Sequence, residues 1–107
     1  WKLNPTSTNK LLFELWYEVQ DEASLNMPDN ITIAPWGDLI ICEDNSDINR
    51  LWGLTSRGKP YLIAQNSYTG SEFAGVCFSP IDNTMFVNLQ WNGLTIRIDG
   101  NWNEVTN

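Results

Sequence analysis

The side chains best suited to chemistry in this sequence are carboxylates and amides that stand next to short apolar stretches. Asp29 and Asn30 lead into one stretch, Glu43 closes another, and Glu72 leads into a third. Carboxylate and amide oxygens are the ligands that Ca²⁺ and similarly hard cations prefer. Carboxylates at close quarters repel one another, and a bound cation relieves that repulsion. The same residue types also satisfy backbone N–H groups in turns, so each has an ordinary structural explanation as well.

The overall composition excludes several kinds of catalytic site and binding partner. The 107 residues carry 13 Asp plus Glu against 6 Lys plus Arg, a net charge of −7, and no histidine. The lack of histidine excludes Ser-His-Asp and Cys-His catalysis and histidine-based zinc sites. The acidic balance argues against nucleic acid and against an anionic membrane surface as partners. No apolar run is long enough to cross a bilayer.

The elements that must position these side chains are short β-strands. Apolar stretches alternate with clusters of Pro, Gly, Asn and Asp at intervals of about eight to twelve residues, which is typical of an all-β protein. The predicted strands are Leu11–Val19, Ile31–Ala34, Leu39–Glu43, Arg50–Thr55, Pro60–Gln65, Gly75–Phe78, Met85–Leu89 and Leu94–Ile98.

A repeat organises these strands. The segment 31–42 is echoed by the segment 76–87, and each copy has an apolar strand, a proline, a polar turn and a second apolar strand. The two prolines, Pro35 and Pro80, lie 45 residues apart. A period near this length with four strands per unit indicates β-propeller blades, which span roughly 40–50 residues each.

The residues 1–107 are therefore expected to form a single partial propeller unit of about two four-stranded antiparallel blades. Residues 31–65 make one blade, and residues 75–98 make three strands of the next. The outer strand of that second blade comes from residues 11–19, from the tail at residues 102–106, or from a partner. Propellers typically close with 4–8 blades. We therefore expect this unit to belong to a larger propeller or to assemble with copies of itself.

Propeller topology sorts the polar residues onto two rims. Loops that precede the first strand of each blade share one rim with loops that follow the second strand. This rim, called the acidic rim below, carries five of the 13 acidic residues and only Arg50 as a nearby cation. Its members are Asp29, Asn30, Glu43, Asp44, Asn45, Asp47, Glu72, Asn88, Gln90 and Asn92. A cation bound there is one interpretation, and turn chemistry is the alternative.

The other conspicuous residues are assigned mainly to packing. Cys42 and Cys77 occupy apolar strand positions and are expected to be buried free thiols, with a disulfide or a thiolate metal ligand as the alternatives. Ile33 and Phe86 are expected in the core, where truncation to alanine costs about 2–5 kcal/mol of stability. Most of the six tryptophans are expected to pack between blades. Trp91, in a Gln-Trp-Asn-Gly turn on the acidic rim, is the candidate substrate-binding residue.

Two groups of motifs resemble the late blades of PhoX-type alkaline phosphatases. The first group is Pro28-Asp29-Asn30-Ile31-Thr32, Pro35-Trp36-Gly37-Asp38-Leu39 and Cys42-Glu43-Asp44. The second group is Ser71-Glu72-Phe73-Ala74-Gly75, Cys77-Phe78-Ser79-Pro80 and Met85-Phe86-Val87-Asn88-Leu89-Gln90. The resemblance covers nearly the whole chain. It implies a six-bladed propeller, of which this chain supplies a late portion.

The resemblance also implies a function. Members are typically exported bacterial phosphomonoesterases that use calcium together with iron, which implies a periplasmic or secreted protein. Position by position, the resemblance makes Asp29, Asn30 and Glu72 candidate metal ligands and Glu43 a weaker one. Such a metal centre binds phosphate oxygens and neutralises the charge that develops in the transition state. The family's iron-binding cysteine lies upstream in a different context, so Cys42 is not expected to take that role.

Three functions remain open on the sequence. The first is a portion of a metal-dependent phosphatase acting on phosphate esters. In that case the chain alone is expected to be inactive, because the basic residues that hold phosphate are expected upstream. The second is a calcium-dependent lactonase or esterase of the gluconolactonase-like propellers. The third is a non-catalytic propeller scaffold that binds a protein or a glycan on its tryptophan-rich rim.

Overall fold

Nine β-strands are present in the described part of the chain, and the connection between the second and the third, residues 15–27, is the longest. The structure, a computed structural model, describes residues 1–21 and 24–102. The strands in these ranges are β1 (Lys2–Pro5), β2 (Leu11–Glu14), β3 (Pro28–Ile33), β4 (Leu39–Glu43), β5 (Asn49–Leu54), β6 (Pro60–Asn66), β7 (Phe73–Phe78), β8 (Met85–Leu89) and β9 (Leu94–Ile98). Nowhere in these ranges is there a helix long and apolar enough to span a membrane.

The strands form three antiparallel sheets, each in chain order. They are the hairpin β1-β2, the four-stranded sheet β3-β4-β5-β6 and the three-stranded sheet β7-β8-β9. The fold is therefore all-β and consistent with propeller blades, as the repeat predicts. Strands β3 to β9 agree with the predicted strands to within three residues at either end. β1 was not predicted, because Lys2–Pro5 contains one strongly apolar side chain and ends in proline.

The predicted strand over residues 11–19 is shorter than expected and has a different partner. β2 ends at Glu14 and pairs with β1, in a register that runs from Lys2↔Glu14 to Pro5↔Leu11. It therefore does not supply the outer strand of the second blade, and β9 is the edge of its sheet in the described chain. A local hairpin is favoured because closing a short loop costs less entropy than closing a long one. Residues 103–106 of the predicted tail strand lie outside the described residues.

The main core lies between the four-stranded and the three-stranded sheet. β7 packs against β3 and β4 and removes one face of each sheet from water. The buried residues of this core are Ala34, Ile40, Cys42, Leu51, Phe73, Val76, Met85, Val87 and Leu89. At the end opposite the acidic rim, Trp36 stacks on Trp102 with ring centroids 5.0 Å apart, and Phe78 meets both rings edge-on.

Part of the opposite face of the four-stranded sheet is covered by residues 16–19 and Leu25, which lie between β2 and β3. Leu25 is buried there together with Ile41 and Leu54. The half-buried residues around this second core are Trp16, Tyr17, Val19, Leu39 and Trp52. Both faces of the sheet therefore carry apolar contacts, as expected for a blade between two neighbours.

The packing predictions have mixed outcomes. Cys42 is buried, as predicted, and both cysteines are free thiols. Cys77 is exposed instead of buried, because side chains alternate along a strand and β7, which also carries a register shift, directs the adjacent Val76 into the core. Ile33 is 72 % exposed, so its placement in the core is wrong. Phe86 is half-buried.

A glycine within β5 makes room for an aromatic ring. Tyr61 lies opposite Gly53 in the ladder, and its ring occupies the space that a Cβ at Gly53 would need. The Tyr61 hydroxyl donates to Oδ2 of the buried Asp38 at 2.9 Å, and the Trp36 indole donates to the same oxygen at 3.1 Å. Burial, with a smaller effect of Asp38, raises the pKa of Tyr61 to about 12, so the hydroxyl remains a donor at neutral pH.

We expect Gly53→Ala to lower the free energy of unfolding by about 1–3 kcal/mol, because the added methyl group overlaps the Tyr61 ring. Gly70→Ala is the matched control, since nothing lies within 4 Å of a Cβ built at that position. Urea denaturation of the two variants measures the difference. Equal transition midpoints would contradict the packing of the ring over Gly53.

Candidate functional site

The strand directions bring the loops of the acidic rim together at one end of the two sheets. The Asp44 N–H donates to the Met27 carbonyl at 2.9 Å and joins the loop after β4 to the start of β3. The Gln90 N–H donates to the Glu72 carbonyl at 3.2 Å and makes the corresponding link in the second sheet. In each sheet, the loop after the second strand therefore lies beside the segment that leads into the first strand.

Glu72 is a carboxylate of this rim with an unused oxygen. The residue is 6 % exposed, and its Oε2 atom has no hydrogen-bond partner in the described chain. Burial raises the pKa of Glu72 above its ordinary value of 4.5, and the neighbouring carboxylates of Asp44 and Asp29 raise it further. A hard cation is suited to this position, because the orphan oxygen could serve as its ligand. Its positive charge would also offset the mutual repulsion of the three carboxylates.

Hydrogen bonds within the loop between β6 and β7 hold Glu72 in place. The buried Asn66 side chain accepts from two backbone N–H groups of this loop and donates to the Ser71 carbonyl at 2.7 Å. The Ser71 hydroxyl in turn accepts from the Trp91 N–H at 2.9 Å. Sequence reasoning missed Asn66 and Ser71, although an asparagine at the end of a strand is a common turn signal.

Asp29 and Asn30 lie at the start of β3, on the same rim. The Asn30 amide donates to Asp29 Oδ2 at 3.3 Å, and the Asn30 oxygen accepts from the Gly75 N–H at 3.2 Å. Asn30 therefore links β3 to β7. Asp29 is exposed, so its carboxylate faces solvent close enough to Glu72 to act on its charge.

Glu43 is fully buried and is satisfied by the protein itself. Its Oε1 atom accepts from the Trp52 indole at 2.8 Å and from the Asn26 N–H at 2.7 Å. Its Oε2 atom accepts from the Arg50 N–H at 3.1 Å and lies 3.7 Å from the Arg50 guanidinium. This geometry favours a structural role for Glu43 over metal binding, because both oxygens already have protein partners.

The acidic rim has little positive charge to balance it. Arg50, its nearby cation, is engaged by Glu43. In residues 1–21 and 24–102, no ion pair involves Glu72, Asp29 or Asp44. The local excess of negative charge is therefore concentrated on the same carboxylates that surround the orphan oxygen.

Cys42 lies just beneath this rim and is a neutral thiol. Burial raises its pKa to about 12, and the carboxylates of Glu72 and Asp29 add to the effect. Metals bind the thiolate form of cysteine, so this position does not suit a thiolate ligand. The structure agrees with the expectation that Cys42 is a packing residue.

The described residues do not form a metal site by themselves. Within residues 1–21 and 24–102, no group of three or more His, Cys, Asp or Glu side chains is arranged to hold a metal ion. Asp44 and Asp29 lie near enough to Glu72 to raise its pKa, and all three are hard carboxylates. They fit calcium better than a soft metal, and a calcium shell of six to eight oxygens needs further ligands.

Trp91 lies on the same rim, in the loop between β8 and β9. Its backbone is anchored by Ser71, and the neighbouring Asn92 side chain accepts from the Thr69 hydroxyl at 2.9 Å. The residue itself is 75 % exposed, so the indole faces solvent. Its contact with a substrate stays a prediction.

Comparison with known proteins decides the family. A family model described as alkaline phosphatase PhoX matches residues 2–93. The chain belongs to this family. No curated protein and no solved structure gives a significant match. Of the three functions left open by the sequence, PhoX membership supports the phosphatase.

We expect Glu43→Gln to lower the free energy of unfolding of this PhoX-family chain by about 1–3 kcal/mol, because an NH₂ group would replace an oxygen that faces N–H donors. Asp47→Asn, an exposed change on the same rim, is the control and should have little effect. Urea denaturation of the two variants tests this. A loss in the control as large as that in Glu43→Gln would contradict the structural role.

The raised pKa of Glu72 predicts a loss of stability as pH rises. Its pKa in the folded state lies above its pKa in the unfolded state, so between these two pH values the native state binds more protons. The free energy of unfolding therefore falls as the pH rises through this range. Glu72→Gln should remove this fall. Urea midpoints measured from about pH 4 to pH 8 provide the test.

Asp99→Asn is the control for this pH series. The hydrogen bond from Arg97 lowers the pKa of Asp99 in the folded state. The contribution of Asp99 to stability is therefore present at neutral pH and is lost as the pH falls. The Asp99 variant should therefore retain the decrease attributed to Glu72. An identical pH profile in the wild type and Glu72→Gln would show that Glu72 has no raised pKa.

Proposed function

We propose that this chain supplies one side of the metal centre of a PhoX-type phosphatase that hydrolyses phosphate esters. The observation that carries the proposal is the buried Glu72 Oε2 atom, which has no partner among the described residues. Leaving a buried carboxylate oxygen unpaired is costly, and such an arrangement persists where a ligand or ion completes it. PhoX membership supports phosphate esters as the substrate class.

The residues of the acidic rim have separate tasks in this proposal. Glu72 presents its orphan oxygen from a buried, hydrogen-bonded loop, while Asp29 and Asp44 add negative charge beside it. Glu43 contributes indirectly by holding the Asn26 backbone and the Trp52 indole in place. A bound divalent cation supplies the positive charge that draws phosphate oxygens and stabilises the transition state.

Calcium suits the oxygen donors of this rim, and iron is expected in the intact centre by resemblance alone. Asn30 is retained as a candidate ligand next to Asp29, although its oxygen already accepts a hydrogen bond from Gly75. Trp91 is the proposed substrate contact, since its indole is exposed on the same rim. We expect the remaining ligands and the cationic phosphate-holding groups to come from other blades.

The 107-residue chain alone is accordingly proposed to be inactive. Its partners are the rest of a propeller, which we expect to be periplasmic or secreted, or further copies of the chain. In either case the site is completed only when additional blades stand beside the acidic rim. This accounts for a rim that has carboxylates but no cation available to hold a phosphate among the described residues.

The first test uses the full-length gene product and p-nitrophenyl phosphate. Glu72→Gln and Asp29→Asn should each lower bound calcium and kcat/KM by about 10- to 100-fold, because each removes charge from the centre. Asp99→Asn, a charge change outside the acidic rim, is the matched control and should retain both properties. Unchanged metal content and rate in both rim variants would overturn the assignment.

The second test uses the 107-residue chain. Supplied with calcium and iron, it should show no hydrolysis of p-nitrophenyl phosphate above the metal-only rate. Clear turnover that disappears in Glu72→Gln would show that the chain carries a complete centre by itself. That result would contradict the proposed dependence on other blades.

A further inference from the structure

The β1-β2 hairpin repeats the β5-β6 hairpin with an offset of 49 residues. In the later hairpin Leu54 pairs with Pro60, and in the earlier one Pro5 pairs with Leu11. The pairs two positions further from the turn, Trp52↔Leu62 and Leu3↔Phe13, correspond in the same way. The two hairpins therefore have the same register over the three pairs next to the turn.

The two turns also share the pattern Thr-Ser-x-x-Lys and one backbone hydrogen bond. One reads Thr6-Ser7-Thr8-Asn9-Lys10 and the other Thr55-Ser56-Arg57-Gly58-Lys59. In each, the N–H of the threonine donates to the carbonyl of the lysine, at 2.8 and 3.0 Å. The fourth position has positive φ in both, 56° at Asn9 and 77° at Gly58. Since β5 and β6 are the outer two strands of a blade, this identity assigns β1 and β2 to the outer half of another blade.

The inner strand of the complete blade has an uncovered face that its counterpart in the next blade does not have. The prolines that follow β3 and β7 align Ile31 with Val76 and Ile33 with Phe78. Val76 is 9 % exposed and Phe78 is half-buried, because the preceding sheet covers them. Ile31 and Ile33 are 62 % and 72 % exposed. The same two positions therefore differ only in whether a preceding blade stands against them.

The rest of this face is already covered. The segment between β2 and β3 packs over Ile41 and Leu54, which lie on the next two strands of the sheet. A groove of about 340 Å³ remains beside the inner strand, bounded by Ile31, Ile33 and the hairpin residues Trp1 and Leu3. The uncovered space thus lies between β3 and the β1-β2 hairpin. The inner strands of the blade to which this hairpin belongs would lie there.

We propose that β1 and β2 are the outer strands of a further blade, and that its two inner strands dock against Ile31 and Ile33. These inner strands come from polypeptide outside the 107 residues and pair with the open edge of β1. Their docking face is apolar, like the Ile40, Cys42 and Leu51 face that meets the second sheet. This inference rests on the repeat and on burial, and is independent of any phosphatase activity.

The experiment compares thiol labelling in the 107-residue chain and in the full-length gene product. Ile33→Cys is made with Cys77→Ser, since Cys77 is exposed and would also react, while Cys42 is buried. Ile81→Cys in the same background is the matched control, because Ile81 is 93 % exposed in a turn away from this face. The readout is the rate of reaction with a maleimide, followed by intact mass.

We expect the thiol at position 33 to react rapidly in the 107-residue chain and about tenfold or more slowly in the full-length protein. The thiol at position 81 should react at the same rate in both. Equal rates at position 33 in the two proteins would overturn the proposal. Protection at position 33 in the short chain that is lost on dilution would also overturn it, since a second copy would then be the occupant.

Discussion

The packing of one sheet face on the next is the interaction on which the rest of this structure depends. Each of the two larger sheets is only three or four strands wide and buries little surface by itself. When β7 lies against β3 and β4, the apolar faces of both sheets leave water together. The same contact aligns the strand ends, so loops that are distant in the chain meet at one rim.

This alignment separates two buried glutamates that look alike in the sequence. Glu43 lies beside the indole of Trp52 and the guanidinium of Arg50, and its oxygens are all engaged. Glu72 lies at the junction of the two sheets, where its neighbours include the carboxylates of Asp29 and Asp44. One glutamate is therefore satisfied within its blade, whereas the other has an oxygen without a hydrogen-bond partner among the described residues. The difference arises from the surrounding strands and not from the residue type.

The repeat also explains which apolar faces of the sheets are buried and which are exposed. Every blade presents an apolar face to the blade before it and another to the blade after it. Where the preceding sheet is present, as for Val76, the side chain is buried. At the equivalent position in β3, no sheet of the described chain covers Ile31, and its side chain is exposed.

Much of the fold was predictable from the sequence, because strand alternation and turn residues are local signals. The 45-residue repeat identified the blades, and strands β3 to β9 lie close to their predicted positions. β1 was not predicted, because a four-residue strand with one leucine and a proline has almost no periodic pattern of apolar residues. The exposure of Cys77 and Ile33 was also missed, since burial depends on which neighbouring sheet is present.

The sequence by itself determined the residue chemistry: hard oxygen donors, no histidine, and blades that place the donors on one rim. Only the tertiary structure decided which donors are available. Glu43 and Glu72 each adjoin a strand, and nothing in their local sequence distinguishes a satisfied carboxylate from an orphaned one. Hydrogen-bond partners come from residues far along the chain, as Trp52 does for Glu43 and Gly75 does for Asn30. Availability for a ligand is therefore a property of the packed blades, because packing determines which polar atoms find partners.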